Sequence, residues 1–306
     1  MKKIFSIVYL VLLVGCASIS EKAQKTVDQY NHELQIYNSK ISEYNTAAKK
    51  IVEMNEQLET SIVKARDSLN KLTAYDQLTP GNLRIAMAKA EEVLVESPLL
   101  LTEYEPIIIS GNETEEQLKS MIENANASVK EMSNVTIPDI PEIPVYSPEL
   151  EALTEAQEEF DKSVKIQQQI TKPSSSFVLL RVNEIDSVID IVELTEETDK
   201  NNLMNKPGGY VGCVHFRDSQ VPNPYGFYTT AVESGTEGGG AIEIFASKSD
   251  AEARNRYLAS FDTAGYVRSG SHKVLGTMVI RTSDKLTATQ QNDLTDKIID
   301  VLTRLD

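Results

Sequence analysis

The sequence predicts an α+β protein: an N-terminal antiparallel helical bundle or coiled-coil stalk, followed by a small α+β head built on an antiparallel sheet. Three observations carry this. Apolar residues recur at alternating steps of four and three from Tyr30 to Leu72, the period of a helix seam. From Phe177 onward Gly, β-branched residues and period-two alternation enter the chain. Between the two, Lys172-Pro173 and Ser174-Ser175-Ser176 interrupt both patterns and mark the main domain boundary.

The chain opens with Lys2 and Lys3, an apolar run from Ile4 to Leu12 broken by Ser6 alone, and Leu13-Val14-Gly15-Cys16. A basic front, a short apolar core and small residues before a cut are the parts of a signal peptide, here residues 1–15. About eleven apolar residues fall short of the ~20 that a membrane-spanning helix needs. Leu13 to Cys16 resembles the lipobox of bacterial lipoproteins. That resemblance implies a diacylglyceryl group on the Cys16 thiol, cleavage between Gly15 and Cys16, and attachment through lipid to the extracytoplasmic face of a cell membrane. Ala17, where some Gram-negative lipoproteins carry Asp, implies that no inner-membrane retention signal is present.

Composition narrows the partners. The 306 residues carry 30 basic and 46 acidic side chains, a formal charge of −16. Loss of Lys2 and Lys3 with the leader would make the mature chain still more acidic, which argues against nucleic acid and anionic lipid headgroups as ligands. A hydrophobic content of 41% supports folded cores. With Cys16 lipidated, Cys213 is the only remaining thiol, so no internal disulfide is expected and stability must come from packing.

After a short tether, Ala17 to Ser20, the seam runs through Tyr30, Leu34, Tyr37, Ile41, Tyr44, Ala48, Ile51, Asn55, Leu58, Ile62, Ala65, Leu69 and Leu72. Only Asn55 is not apolar, and a polar seam residue commonly fixes register or oligomeric state. Partner helices are available in the same chain, which favours an intramolecular bundle. Tyr30-Asn31, Tyr37-Asn38 and Tyr44-Asn45 recur every seven residues. Stacked Tyr and Asn could form a carbohydrate platform, but packing with the hydroxyl at the rim explains the same spacing.

Thr79-Pro80-Gly81 breaks this helix, and Leu83 to Val95 resumes helical spacing until Ser97-Pro98. Leu99 to Ile109 is apolar but contains Pro106, so it reads as a packed crossover. A third helix spans about Glu113 to Met132. Residues 134–148 hold Ile137-Pro138, Ile140-Pro141 and Ile143-Pro144, a three-residue repeat suited to polyproline II. It is either a docking strip for an aromatic groove or a stiff connector whose Ile edge packs along the bundle, and the second is favoured. Ser147-Pro148 opens a helix over 149–172 that completes the stalk begun at 16–133.

In the head, residues 177–306, Val178, Val182, Ile185, Ile189 and Val192 suggest one leading helix, followed by an acidic turn from Glu196 to Asn205. Tyr210 to Phe216 and Ala241 to Phe245 read as strands. Ser249 with Glu252 reads as the capping box of a helix carrying Tyr257, Leu258 and Phe261. Tyr266 to Ser269 and Lys273 to Thr282 read as a hairpin around Gly270. Thr287 with Gln290 caps a last helix bearing Leu294, Ile298, Val301, Leu302 and Leu305. Ile242-Glu243-Ile244, Asp250 to Tyr257, Val279-Ile280-Arg281 and Leu286 to Gln290 resemble the terminal domain of uncharacterised Gram-positive lipoproteins. The resemblance brings no established activity, so it carries over no catalytic residue.

Cys213 and His215 lie two apart on a predicted strand, so their side chains share a face, and a Cys nucleophile with a His base is worth weighing. Parallel side chains do not converge on one proton, however, and sheet packing explains the pair more simply. Two ligands also fall short of a zinc site. His272, near the predicted hairpin tip, is an alternative partner. Gly238-Gly239-Gly240 precedes a strand, not a helix N-terminus, and so reads as a wide turn instead of a phosphate loop. Glu193, Glu196, Glu197, Asp199 and Asn201 lack the spacing and glycine of a calcium loop, so a solvated loop is expected. The sequons at Asn112, Asn126 and Asn134 read as coincidental.

These readings converge on a lipid-anchored binding or structural module with no cofactor, an unknown protein or cell-envelope ligand and no catalytic set. An extracytoplasmic hydrolase using Cys213 with His215 or His272 is the alternative. A solute-binding lipoprotein serving a transporter would need a cleft between two α/β lobes, which the helical first half does not provide.

Overall fold

The computed structural model describes residues 18–71, 81–223, 226, 229–262 and 269–306. The leader, Cys16, Leu72, Thr79-Pro80 and Tyr266 lie outside the described residues. The chain divides into two compact units, 1–66 with 85–154, and 67–84 with 155–306.

The first unit is built on α1 (Ile19–Asn70), whose last four residues fall in the second unit; the helix is 52 residues long, about 78 Å at 1.5 Å per residue. Every predicted seam position from Tyr30 to Ala65 is buried, and Val27 and Ala23 continue the seam toward the N-terminus. α2 (Gly81–Val93) runs antiparallel to it: Glu91 pairs with Arg66 at 2.5 Å, and Val95, just beyond the helix, reaches back to Asn55. α3 (Glu115–Asn134) starts on the capping box of Thr114 and Gln117, and it packs Ala125, Val129 and Met132 against Tyr30, Leu34, Tyr37 and Ile41. α4 (Ser147–Gln169) begins where Ser147-Pro148 predicts, and from Glu155 onward it belongs to the second unit.

Between α2 and α3 the crossover is extended, and α1 supplies the hydrogen bonds that it lacks internally. The Asn31 amide donates to Ile107 O at 2.8 Å and accepts from Ile107 N at 3.0 Å. Asn38 donates to Tyr104 O at 3.0 Å. Asn45 repeats the two-way pairing with Leu101, both bonds 2.9 Å. The Tyr30 and Tyr44 hydroxyls donate to Glu105 O and Leu99 O at 2.6 and 3.0 Å.

The spacing explains the repeat. Seven helical residues rise ~10.5 Å and three extended residues span ~10 Å, so each heptad of α1 meets the carbonyl three residues earlier on an antiparallel strand. The Tyr-Asn repeat is a ladder of side-chain amides that holds an extended segment as a neighbouring β-strand would. Asn55 belongs to the same system. It donates to Val95 O and Ser97 Oγ, both at 2.9 Å, and accepts from the Tyr146 hydroxyl at 2.7 Å. The polar seam residue is therefore satisfied within the chain.

The Pro-rich segment 135–146 is also extended. Ile137 packs into the cluster around Tyr30 to Ile41 and Tyr146 is buried against Asn55, while Ile140 is exposed. The Ile edge is thus only partly used.

The second unit holds the head. α5 (Ser175–Val182) leads into β1 (Val188–Glu193), β2 (Gly212–Asp218), α6 (Ala231–Ser234), β3 (Gly239–Ile244), α7 (Lys248–Asp262), β4 (His272–Leu275), β5 (Met278–Thr282) and α8 (Ala288–Thr303). The sheet is antiparallel with strand order β1-β2-β3-β5-β4. Val214, Phe216, Ile242, Ile244, Met278 and Ile280 face α5 and α8, where Val178, Val182, Leu294, Ile298 and Leu302 close the core.

Several local expectations are corrected. The spacing of Val178, Val182, Ile185, Ile189 and Val192 fits one helix face, but α5 ends at Val182 and the last two residues belong to β1. Val188-Ile189-Asp190-Ile191-Val192 is β-branched at four of five positions and finds a ladder partner in β2, which overrides the helical period. The cap of α7 is Ser247, not Ser249: its hydroxyl accepts from Asp250 N at 3.1 Å and donates to the Asp250 carboxylate at 2.6 Å. The last hairpin turns at Gly276-Thr277, not at Gly270. Gly276 has φ +58°, and a Cβ there would strike Ile170 O. The cap of α8 is the predicted Thr287-Gln290 box.

Candidate functional site

On the other sheet face, under α7 and α6, buried polar side chains lie among the apolar Tyr210, Phe245, Leu258 and Val279. Strand register sets their places. One row across the sheet reads Val192, His215, Ala241, Arg281, His272, and the next places Cys213 opposite Glu243 and Glu243 opposite Val279. Cys213 and His215 therefore share a face as predicted. Cys213 and His272 do not meet, since β2 and β4 are three strand intervals apart, roughly 14 Å.

Cys213 is 1% exposed. Burial, with the charges of Glu243 and Asp199, pushes its thiol well above the ordinary value. A protonated thiol is not a nucleophile, so this environment works against thiolate chemistry. His215 is also buried, and burial pushes its imidazole pKa down despite the neighbouring Glu243. Its Nδ1 has no hydrogen-bond partner among the described residues, and neither does Arg281 Nε.

The centre of the face is Glu243, which sequence reasoning passes over. Its carboxylate is 2% exposed and accepts Arg254 Nε and Nη2 at 2.7 and 2.8 Å and Arg281 Nη1 at 3.0 Å. The two-pronged approach of Arg254 matches the carboxylate geometry. Burial works against its charge, yet the bond to Glu243 and the Glu243 charge hold the Arg254 pKa above its usual value. The signal is present in the sequence: Glu243 is a charge inside Ala241-Ile242-Glu243-Ile244-Phe245, a strand otherwise apolar on both faces.

Asp199 corrects another expectation. It is buried, not solvated, and accepts from the backbone N–H groups of Asn201, Leu203 and Met204 at 2.8 to 3.0 Å and from the Tyr210 hydroxyl at 2.5 Å. Burial opposes its ionisation, but the Tyr210 bond and those N–H groups outweigh burial and hold its pKa below the ordinary value. Its oxygens are engaged in tying a loop. Among the described residues no group of three or more His, Cys, Asp or Glu side chains could hold a metal ion.

His272, expected near a hairpin tip, instead opens β4. Its side chain is 10% exposed and bridges Asn255 Oδ1 at 2.7 Å and Asp262 Oδ2 at 3.0 Å. Asp262 Oδ1 accepts from Ser269 Oγ at 2.7 Å. Arg254, Asn255 and Asp262 thus tie α7 to the sheet through Glu243 and His272, and Asp199 closes a loop. Gly239 and Gly240 open β3 in close contact with both neighbouring strands: a Cβ would strike Asp218 N and Phe216 O at the first, and Arg281 O and the Phe216 ring at the second.

The chain matches no family model, no curated protein and no solved structure. The fold alone defines its class: a mixed α and β protein with a long N-terminal helix and a five-stranded antiparallel sheet covered by helices. No helix among the described residues is long and apolar enough to cross a membrane.

Proposed function

We propose that the protein is a bacterial lipoprotein, held at the extracytoplasmic face of the cell membrane by lipid on Cys16. In this reading α1 and its companions form a stalk that carries the head as a binding or structural module. The observation that carries it is the lipobox Leu13-Val14-Gly15-Cys16, placed three residues before α1 begins at Ile19. Ile19 and Ser20, which the sequence places in a tether, already belong to the 52-residue helix. Two or three acyl chains would give stable attachment where one would not.

Growth of expressing cells with labelled fatty acid tests the reading. Cys16→Ala should abolish incorporation and move the protein out of the membrane fraction; unchanged incorporation would remove the anchor.

A hydrolase using Cys213 draws no support from a buried, protonated thiol beside a buried imidazole. A solute-binding role would need two α/β lobes, and the described residues contain one sheet.

A further inference from the structure

The helical unit carries a groove that neither the anchor nor the head explains. It lies between α1 and the end of the Pro-rich segment, about 370 Å³, lined by Met54, Ile143, Pro144, Val145 and Leu150 among others. Val145 is 73% exposed. The groove continues past Gln57 and Leu150 into a second hollow that contains Glu53, Glu56, Thr60 and Ser61. An apolar floor is thereby joined to a wall bearing two exposed carboxylates, neither in an ion pair among the described residues. Lys50 is the one basic residue lining either part.

We propose that this groove is a docking surface for a basic amphipathic segment of a partner protein, with apolar side chains on Val145, Ile143 and Leu150 and Lys or Arg against Glu53 and Glu56. Charge selects this occupant. A nucleic acid or an anionic lipid surface would be repelled by the carboxylate wall of a chain with formal charge −16. A second copy would bring a second acidic wall against the first. The lining of α1 from Lys50 to Ser61 extends ~16 Å, enough for about three turns of a bound helix. The Pro-rich segment thus acts on both earlier readings: Ile137 and Tyr146 hold it to the unit, and Val145 is left for a ligand.

The test uses the full lipidated protein in nanodiscs of zwitterionic lipid, with empty nanodiscs subtracted. The probe is a fluorescent Lys/Leu amphipathic helix, compared with a Glu/Leu helix of the same pattern. Val145→Glu and the double variant Glu53→Lys/Glu56→Lys should each weaken probe binding at least tenfold. Glu33→Lys/Glu43→Lys makes the same charge change elsewhere on α1 and should alter binding less than twofold. Circular dichroism confirms that every variant is folded. Equal loss in the control pair, equal binding of the Glu/Leu helix, or no binding at all would overturn the proposal. So would a wild-type dimer in sedimentation that Val145→Glu dissolves, which would make the groove a self-interface.

Discussion

Asn45 and Leu101 exchange two hydrogen bonds of 2.9 Å, the side-chain amide of one serving as the β-strand partner of the other's backbone. The same pairing joins Asn31 to Ile107, fourteen residues back on the helix and six forward on the strand. This relationship decides what the first unit is: a long helix whose side chains stand in for a sheet.

Removing one rung should therefore act locally. Asn45→Ala leaves the Leu101 N–H and C=O unpaired, a cost of about 2 kcal/mol. Exchange of the Leu101 amide hydrogen should quicken on the order of thirtyfold, with the head's strands unaffected. Asn45→Asp should be no better, because it loses the donor to Leu101 O and sets a carboxylate beside Glu103.

The Glu243 cluster gives a prediction in the head. Glu243→Gln leaves Arg254 and Arg281 buried against a neutral partner and should cost about 3 kcal/mol, read from the urea midpoint. Replacing all three residues with apolar ones of similar volume should cost less than the single change. A single change as mild as a surface substitution would show that the carboxylate does not hold the two guanidinium groups.

His215 sets a pH dependence. Its folded pKa lies below the ordinary 6.5, so the folded state binds its proton less readily than the unfolded chain does. Its contribution is complete above 6.5 and is lost as pH falls from there toward the folded value. The wild type should lose stability as pH falls below 6.5, and His215→Gln should flatten that part of the curve. Asp199 acts lower, its contribution present above 3.8 and lost as pH falls further. A His215→Gln curve parallel to wild type would contradict the assignment.

Cys213 should not react. In the folded protein the Cys213 thiol should not be titrated by a disulfide reagent at pH 8, and it should become reactive after denaturation. Rapid native-state labelling, with a pH dependence well below that of a free thiol, would revive the enzymatic reading.

How much of this was legible depends on how far apart the cooperating residues lie. The seam of α1 needs only neighbours four and three apart, and its described positions to Ala65 follow the pattern. The Tyr-Asn stripe is equally visible, but its meaning rests on Leu101, Tyr104 and Ile107, 56 to 76 positions away. Ile189 and Val192 satisfy helical and strand spacing together, so only the ladder with β2 decides between them. Asp199 looks like one acid among several until Tyr210 and three N–H groups close on it. The head's polar face was half readable: Cys213 and His215 stand where strand alternation puts them, while Arg254 and Arg281 reach Glu243 from another helix and another strand.

Lipid on Cys16 underlies the stalk reading, and mass spectrometry of the N-terminal peptide from protein purified from the cells that make it is the sharpest test. The chain should begin at Cys16, with a diacylglyceryl thioether on that residue. A peptide beginning at Met1 with the leader intact, or Cys16 bearing a free thiol, would contradict it.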